Sequence, residues 1–480
     1  MSALKGLEPE RVFEIFDEIS SIPHGSGNMK EIADYCENFA IKNSLRYIRD
    51  NAHNIIIFKE SSRGYENAEP LILQGHIDMV CQKDKDYNIN FEKDGLKLYV
   101  DGDFLKAKGT TLGADNGIAA AMILNILERN DISHPRIEAV FTTDEEIGMI
   151  GAMALDVSPL NSRKMINLDS EEIDTVTVSC AGGSEFNAFL KGESEASSGE
   201  LLTLTIKGLK GGHSGVCINE GRQNAHILLG RILGFMKAFS YFKLVSVSGG
   251  DKSNAIPNFC TTTLLCENAK EFKEKAEEYV KIIKEEISAR EPEFEVNIEL
   301  GEVENAETFS DEVLDKFIFA LFCTPNSVLE MSAEIENLVE TSLNLGVLNS
   351  DNNKITFGYA LRSNKKSALK ALEDKLYRFY SVIDAEIETG GHYPPWEFNP
   401  NSSLQKIYEK CYFEQFGAKP KVEAIHAGLE CGVFADKIEN FDCIAIGPEL
   451  LDVHTVNERL SISSTAEIYK LLLEILENCK

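Results

Sequence analysis

Between residues 8 and 48 apolar side chains recur at helical spacing: Val12, Ile15, Phe16 and Ile19 share one face, and the stretch reads as helix. From about 53 to 178 the rhythm changes. Short apolar runs at 54–58, 70–74, 137–142 and 164–168 alternate with helical patterns, among them 117–127. That alternation predicts an α/β layer on a largely parallel sheet. Residues 180–385 interleave strand-like runs (201–206, 259–265, 295–300, 354–359) with long helices at 223–239 and 270–290, which predicts an α+β insert. Glycine pairs at 182–183 and 390–391 punctuate its ends. The first style then returns, with a helix at 404–416, a strand at 443–446 and a last helix at 464–478. The expected fold is therefore α/β and discontinuous. One domain combines 1–180 with 388–480, and a second is inserted at 181–387.

Composition changes this picture little, and charge narrows it. The 480 residues are 43% hydrophobic, ordinary for a globular chain able to form more than one core. The net charge of −30 repels phosphate backbones and anionic membrane surfaces, so neither nucleic acid nor membrane is expected as a partner. The segment 1–20 lacks a basic start followed by an apolar run, and no stretch reaches the ~18 apolar residues of a membrane span, so a cytoplasmic location is expected. Eleven scattered cysteines form no CxxC pair, which reads as free thiols rather than a cysteine zinc site.

Five short segments carry candidate chemistry. In LILQGHIDM (71–79) an apolar strand runs into His76 and Asp78, which as i and i+2 project to one side. His76 can bind a metal while Asp78 orients it. GTTLGADNG (109–117) puts Asp115 in a glycine-flanked loop before an apolar helix, as a helix-capping carboxylate or one shared by two metals. FTTDEEIG (141–148) follows a strand; Glu145 and Glu146 point to opposite sides, so one can bind metal while the other faces a reacting water. MINLDS (165–170) sets Asp169 just past a strand, and LDVHT (451–455) supplies His454. Each segment alone also reads as a solvated turn or cap. Together they place two histidines and three carboxylate ligands at one sheet edge, a donor set that suits zinc and suits two ions bridged by a carboxylate. Two such ions polarise a carbonyl and acidify a water, and a neighbouring carboxylate moves the proton. No GxSxG elbow is present, which argues against a serine hydrolase.

GHIDMV, GADNG, TTDEEIG, NLDS and the late histidine resemble the zinc peptidases and deacylases that include carnosinases and aminoacylases. IHAGLECG (425–432), GRQNA (221–225) and SNAIP (253–257) narrow the resemblance to the members that hydrolyse aminoacyl-histidine dipeptides. It covers essentially the whole chain. It implies two Zn2+ per chain, with Co2+ or Mn2+ as possible substitutes. Asp115 bridges them, His76 and Asp169 complete one site, and Glu146 and His454 complete the other. It further implies Glu145 as general base, Asp78 steadying His76, and His213 of KGGHSG (210–215) holding the scissile carbonyl. Asn254 and Arg362 would bind the substrate carboxylate, with a backbone contact near Gly428. The inserted domain would act as lid and dimerisation surface. A tripeptidase or an N-acyl-amino-acid deacylase with the same metals, or a non-catalytic relative, are the alternatives. His392, His426 and Glu430 have no assigned role, and Cys217 and Cys431 need none in a metallohydrolase.

Overall fold

The computed structural model describes residues 4–351 and 353–480. The chain divides into two units: Met1–Ser179 with Trp396–Ala424 and Leu429–Lys480, and Cys180–Pro395 with Ile425–Gly428. The second unit runs to Pro395 because the strand Glu386–Tyr393 pairs with Gly182–Lys191.

In the first unit an eight-stranded sheet runs Arg46–Arg49, Ile55–Lys59, Ile137–Thr142, Leu71–His76, Lys164–Asn167, Asp442–Ala445, Thr175–Cys180, Lys421–Ile425. Its four central strands, from Ile137–Thr142 to Asp442–Ala445, are parallel. The first two pairings are antiparallel, as is that of Asp442–Ala445 with Thr175–Cys180. Every residue of Ile55–Lys59, Leu71–His76 and Ile137–Thr142 is buried. That is why these strands read as continuous apolar runs rather than alternating ones. The helix Ala114–Glu128 is apolar all round and lies against Leu71–His76, with only Asp115 and Glu128 not buried. Its last carbonyls, Ile126 and Leu127, accept from the buried Lys59 Nζ at 2.8 and 3.1 Å.

The opening stretch, expected as helix throughout 8–48, is instead two helices, Glu10–Ser20 and Lys30–Lys42, followed by the strand Arg46–Arg49. Pro23, Gly25 and Gly27, the last at φ 85°, break the helical run between them. A separate four-stranded sheet, Leu450–Leu451, Arg459–Ser461, Phe104–Ala107 and Leu98–Asp101, carries the hairpin that bears His454.

The second unit is built on a nine-stranded antiparallel sheet. The helices Ala225–Met236, Ala269–Ile287, Asp311–Cys323 and Lys366–Ser381 pack on it through one apolar core that includes Phe186, Phe242, Phe272, Phe317, Phe357 and Tyr380. The run expected at 295–300 continues as a strand to Phe309, paired with Ser194–Lys207. Its outer half, GEVENAE, is polar and mostly exposed, so it lacks the alternation that marks a half-buried strand.

Candidate active site

Parallel register makes the strand ends of the first unit coincide. His76 is paired with Thr142, and Gln74 with Asn167, so the segments leaving these strands emerge along one edge. His76 closes its strand at 1% exposure; Glu145 and Glu146 follow the second strand and Asp169 the third. Asp115 arrives from the helix start. Its backbone there is non-helical (φ −80°, ψ 102°), Gly113 rather than Asp115 holds the cap position, and both oxygens of Asp115 are met by histidine nitrogens. It faces the histidines instead, so the capping alternative does not hold.

The carboxylate of Asp115 has one histidine on each oxygen. His76 Nε2 lies 3.1 Å from Oδ1 and His454 Nε2 lies 3.0 Å from Oδ2. His454 Nε2 is also 3.0 Å from Glu146 Oε1, and His76 Nε2 is 3.5 Å from Asp169 Oδ1. Donor atoms of His76, Asp115 and Glu146 lie within 4.8 Å of one another, the spacing of a metal-ligand set. Asn116 Nδ2 donates to Asp169 Oδ1 at 2.6 Å and to the Leu168 carbonyl at 2.9 Å. A Cβ on Gly75 would come within 2.4 Å of Asn116 Oδ1, so the glycine of GHIDM makes room for this residue.

Asp78 does more than steady His76. Its backbone carbonyl accepts from His76 Nδ1 at 3.1 Å, while its carboxylate stands 3.4 Å from that nitrogen. The same carboxylate accepts from Ser26 Oγ at 2.8 Å and from the backbone N–H groups of Glu145 and Glu146 at 3.1 and 3.3 Å. It therefore fixes the turn on which the two glutamates diverge.

The electrostatics are those of a site built for positive charge. Burial works against it, yet the charge of Asp169 and hydrogen bonds to Asp115 and Asp169 raise His76 well above the ordinary imidazole range. Hydrogen bonds to Asp115 and Glu146 raise His454 to about 11. Asp115 is held below the carboxylate range, burial being outweighed by hydrogen bonds from His454 and His76. Burial pushes Glu145 well above it, with the charges of Asp169, Glu430 and Glu146 adding to the shift. Two histidines and three carboxylates of this kind fit divalent cations with nitrogen and oxygen ligands.

Two layers surround the cluster: one of residues inside the LILQGHIDM, FTTDEEIG, MINLDS and IHAGLECG segments to which those motifs assign no role, the other of Glu458, which lies in none of them. Behind the ligands, Gln74 Nε2 and Thr142 Oγ1 donate to Glu430 Oε2 at 2.5 and 2.7 Å, and Asn167 Nδ2 donates to Gln74 Oε1 at 2.6 Å. Gln74 and Asn167 stand two residues before His76 and Asp169 on buried strands, so polar residues inside apolar runs are the one available signal. Burial pushes Glu430 up to about 7. The other layer is Glu458, 3% exposed, whose carboxylate accepts backbone N–H groups from Leu112 to Asp115.

The remaining candidates belong to the second unit. His213 pairs in a short ladder with Ala255, and Ser214 N donates to the Asn254 carbonyl at 2.9 Å. Arg362 NH1 donates to Tyr393 Oη at 2.7 Å, and its NH2 lies 3.5 Å from His213 Nε2. His213 Nδ1 accepts from the Gly215 and Val216 N–H groups, and burial with the Arg362 charge lowers its pKa, so the ring is neutral. Asn254, Arg362 and Tyr393 line one cavity of about 530 Å³. Tyr393 is a member of this group that no sequence motif indicates. His426 bonds Ser342 Oγ at 2.7 Å and Asn364 Oδ1 at 3.3 Å through its two nitrogens, an anchoring arrangement, and Gly428 follows on the same segment. His392 pairs with Glu373 at 2.9 Å.

The cytosol non-specific dipeptidase of Escherichia coli is 36% identical over 99% of both chains. The crystal structure of aminoacylhistidine dipeptidase from Vibrio alginolyticus superposes with a TM-score of 0.93, at 36% identity, over 99% of this chain and 98% of that one. Aminopeptidase PepT from Bacillus cereus shares the fold at a TM-score of 0.58 and 15% identity, over 98% of this chain and 99% of that one. The family model for Peptidase family M20/M25/M40 matches residues 72–478, and with relatives alike from end to end the chain belongs to that peptidase family.

Proposed function

We propose that this chain is a two-metal dipeptidase that hydrolyses short peptides, aminoacyl-histidine dipeptides among them. The observation that carries this is Asp115, whose two carboxylate oxygens each face a different histidine. His76 and Asp169 would hold one cation, and Glu146 and His454 the other. Zinc is the inferred metal, because imidazole and carboxylate donors suit it, with Co2+ or Mn2+ as substitutes. When bound, such a pair polarises the scissile carbonyl and lowers the pKa of a water.

The chain's own residues do the rest. Glu145 takes the proton of the attacking water on a carboxylate oxygen and gives it to the leaving amine. Asp78 aims Glu145 by holding its backbone N–H. In the second unit, His213 accepts N–H groups at Nδ1, which leaves its Nε2–H to donate to an oxyanion. Arg362 offers a planar fork to the substrate carboxylate, with Asn254 beside it on the same cavity wall and Gly428 as a backbone contact. Homodimerisation through 181–387 is inferred from the family resemblance alone, and sedimentation at micromolar concentration would test it. The Escherichia coli relative is named for the cytosol, which supports a cytoplasmic place for this chain too.

Metal analysis and a substrate panel on one purified sample test the reading. The expected result is two zinc ions per chain, cleavage of Xaa-His dipeptides and no action on N-acetyl amino acids. Preference for N-acyl substrates or tripeptides would move the assignment to a deacylase or tripeptidase. Inert metal-loaded protein would overturn it.

A further inference from the structure

Glu458 lies four residues after His454, at the root of the hairpin whose tip carries that histidine. Its Oε2 accepts from Leu112 N at 2.8 Å and Gly113 N at 3.2 Å; its Oε1 accepts from Ala114 N at 2.9 Å and Asp115 N at 3.4 Å. These donors open the helix Ala114–Glu128 and have no partner within it. Helices usually satisfy such donors with a side chain from the adjacent turn. Here Gly113 occupies that position at φ 67° and has no side chain to offer. The acceptor instead comes from a segment more than 340 residues away in sequence.

The hairpin needs an anchor. Asp452 and His454 both have positive φ, 54° and 62°, and the His454 side chain is 48% exposed. Its turn is held internally by Thr455 Oγ1 to the Asp452 carbonyl at 2.7 Å and by Glu458 N to the Thr455 carbonyl at 3.1 Å. Neither bond ties it to the sheet edge where the other ligands stand. Leu450 N, donating to the Glu171 carbonyl at 2.9 Å, fixes the hairpin's base, and Glu458 ties its root to the 112–115 loop, binding the backbone of Asp115 itself. The opposite side of the cluster is secured separately: His76 ends a buried strand and Asp169 is held by Asn116.

We propose that Glu458 is a positioning residue that docks the His454 hairpin on the 112–115 loop and so sets His454 against Asp115. The site of Asp115, Glu146 and His454 then depends on it for the placement of His454, whereas that of His76, Asp115 and Asp169 shares only the longest of its contacts, 3.4 Å to Asp115 N. The inference rests on the two-cation reading above.

The test is titration of chelator-stripped full-length protein with Zn2+, followed calorimetrically. Wild type should take up two ions; if it takes up none, the two-cation reading fails, whatever Glu458 does. Glu458→Gln keeps the side chain's length but turns one acceptor into a donor facing two N–H groups. It should weaken one of the two zinc affinities by about 10–100-fold, the range for groups that orient ligands, and leave the other within about twofold. In a His454→Ala background the same change should leave the remaining zinc affinity unaltered. Glu458→Asp, which keeps the charge and shortens the reach, should show the same asymmetry to a smaller degree, and serves if the glutamine variant does not fold. Unchanged affinities, or equal weakening of both, would overturn the proposal, because a residue that merely stabilises the fold has no reason to choose between the sites.

Discussion

The histidines of the strand-end cluster and those of the second unit sit in opposite fields. His76 faces three carboxylates and His454 two, all at 3.0 to 3.5 Å, and both are raised above the ordinary imidazole range. In the second unit burial lowers His213 and, to about 3, His426, with the charge of Arg362 adding in both cases; burial alone lowers His226 to about 4. One region concentrates negative charge that cations must balance. The other lowers His213 and His426 beside a buried guanidinium. Among the described residues no carboxylate lies within ion-pair distance of Arg362, whose NH1 is met by the Tyr393 phenol instead.

Removing the carboxylate common to both histidines should break the first field altogether. Asp115→Ala is expected to lose both ions and to lower turnover by about 10³-fold or more, several kcal/mol of transition-state stabilisation. Retention of two metals by elemental analysis would refute the bridge. Glu145→Ala separates chemistry from metal binding. It should lower kcat by roughly 10²–10⁴-fold while metal content stays at the wild-type level; near-normal kcat would remove Glu145 as the base. The second field is tested by Arg362→Met. Losing a charged hydrogen-bonded pair costs about 1.5–3 kcal/mol, so kcat/KM for a dipeptide should fall about 10–100-fold, with little change for the same peptide carrying a C-terminal amide. Equal losses on both substrates would show that Arg362 does not read the carboxylate.

The two regions also differ in how far the sequence discloses them. His76, Glu145, Glu146 and Asp169 stand within four residues of the ends of apolar strands, and parallel pairing brings such ends together, so their convergence is readable from pattern alone. Asp115 needs more, since a carboxylate before an apolar helix reads equally well as a cap. Glu458 leaves no trace: its partners are backbone N–H groups, which have no sequence signature, and in VNERL it looks like a solvated charge. The parallel character expected of the first sheet holds at its centre, but short edge strands such as Arg46–Arg49 add antiparallel pairs. In the second unit His213, Asn254 and Arg362 come from separate strands and loops, and only the family resemblance groups them.

The smallest expected effect concerns stability, and it isolates burial from charge. His226 is fully buried, donates from Nδ1 to the Leu345 carbonyl at 3.1 Å, and owes its lowered pKa to burial, with no charged neighbour contributing. In the unfolded chain it titrates near its ordinary 6.5; in the folded chain it stays neutral down to about 4. The sign follows from proton uptake. Above pH 6.5 neither state binds a proton and His226 has no effect. As pH falls from 6.5 towards 4 only the unfolded chain gains one, so folding is progressively disfavoured, by about 2 kcal/mol at pH 5. His226→Asn removes the group that takes up this proton. Denaturant unfolding of the two proteins at pH 7 and pH 5 should show the wild type losing about 2 kcal/mol more than the variant over that interval. Parallel losses would mean that the acid sensitivity of the fold lies in its carboxylates, and the contrast between the two fields would then rest on Arg362 and the ligand cluster alone.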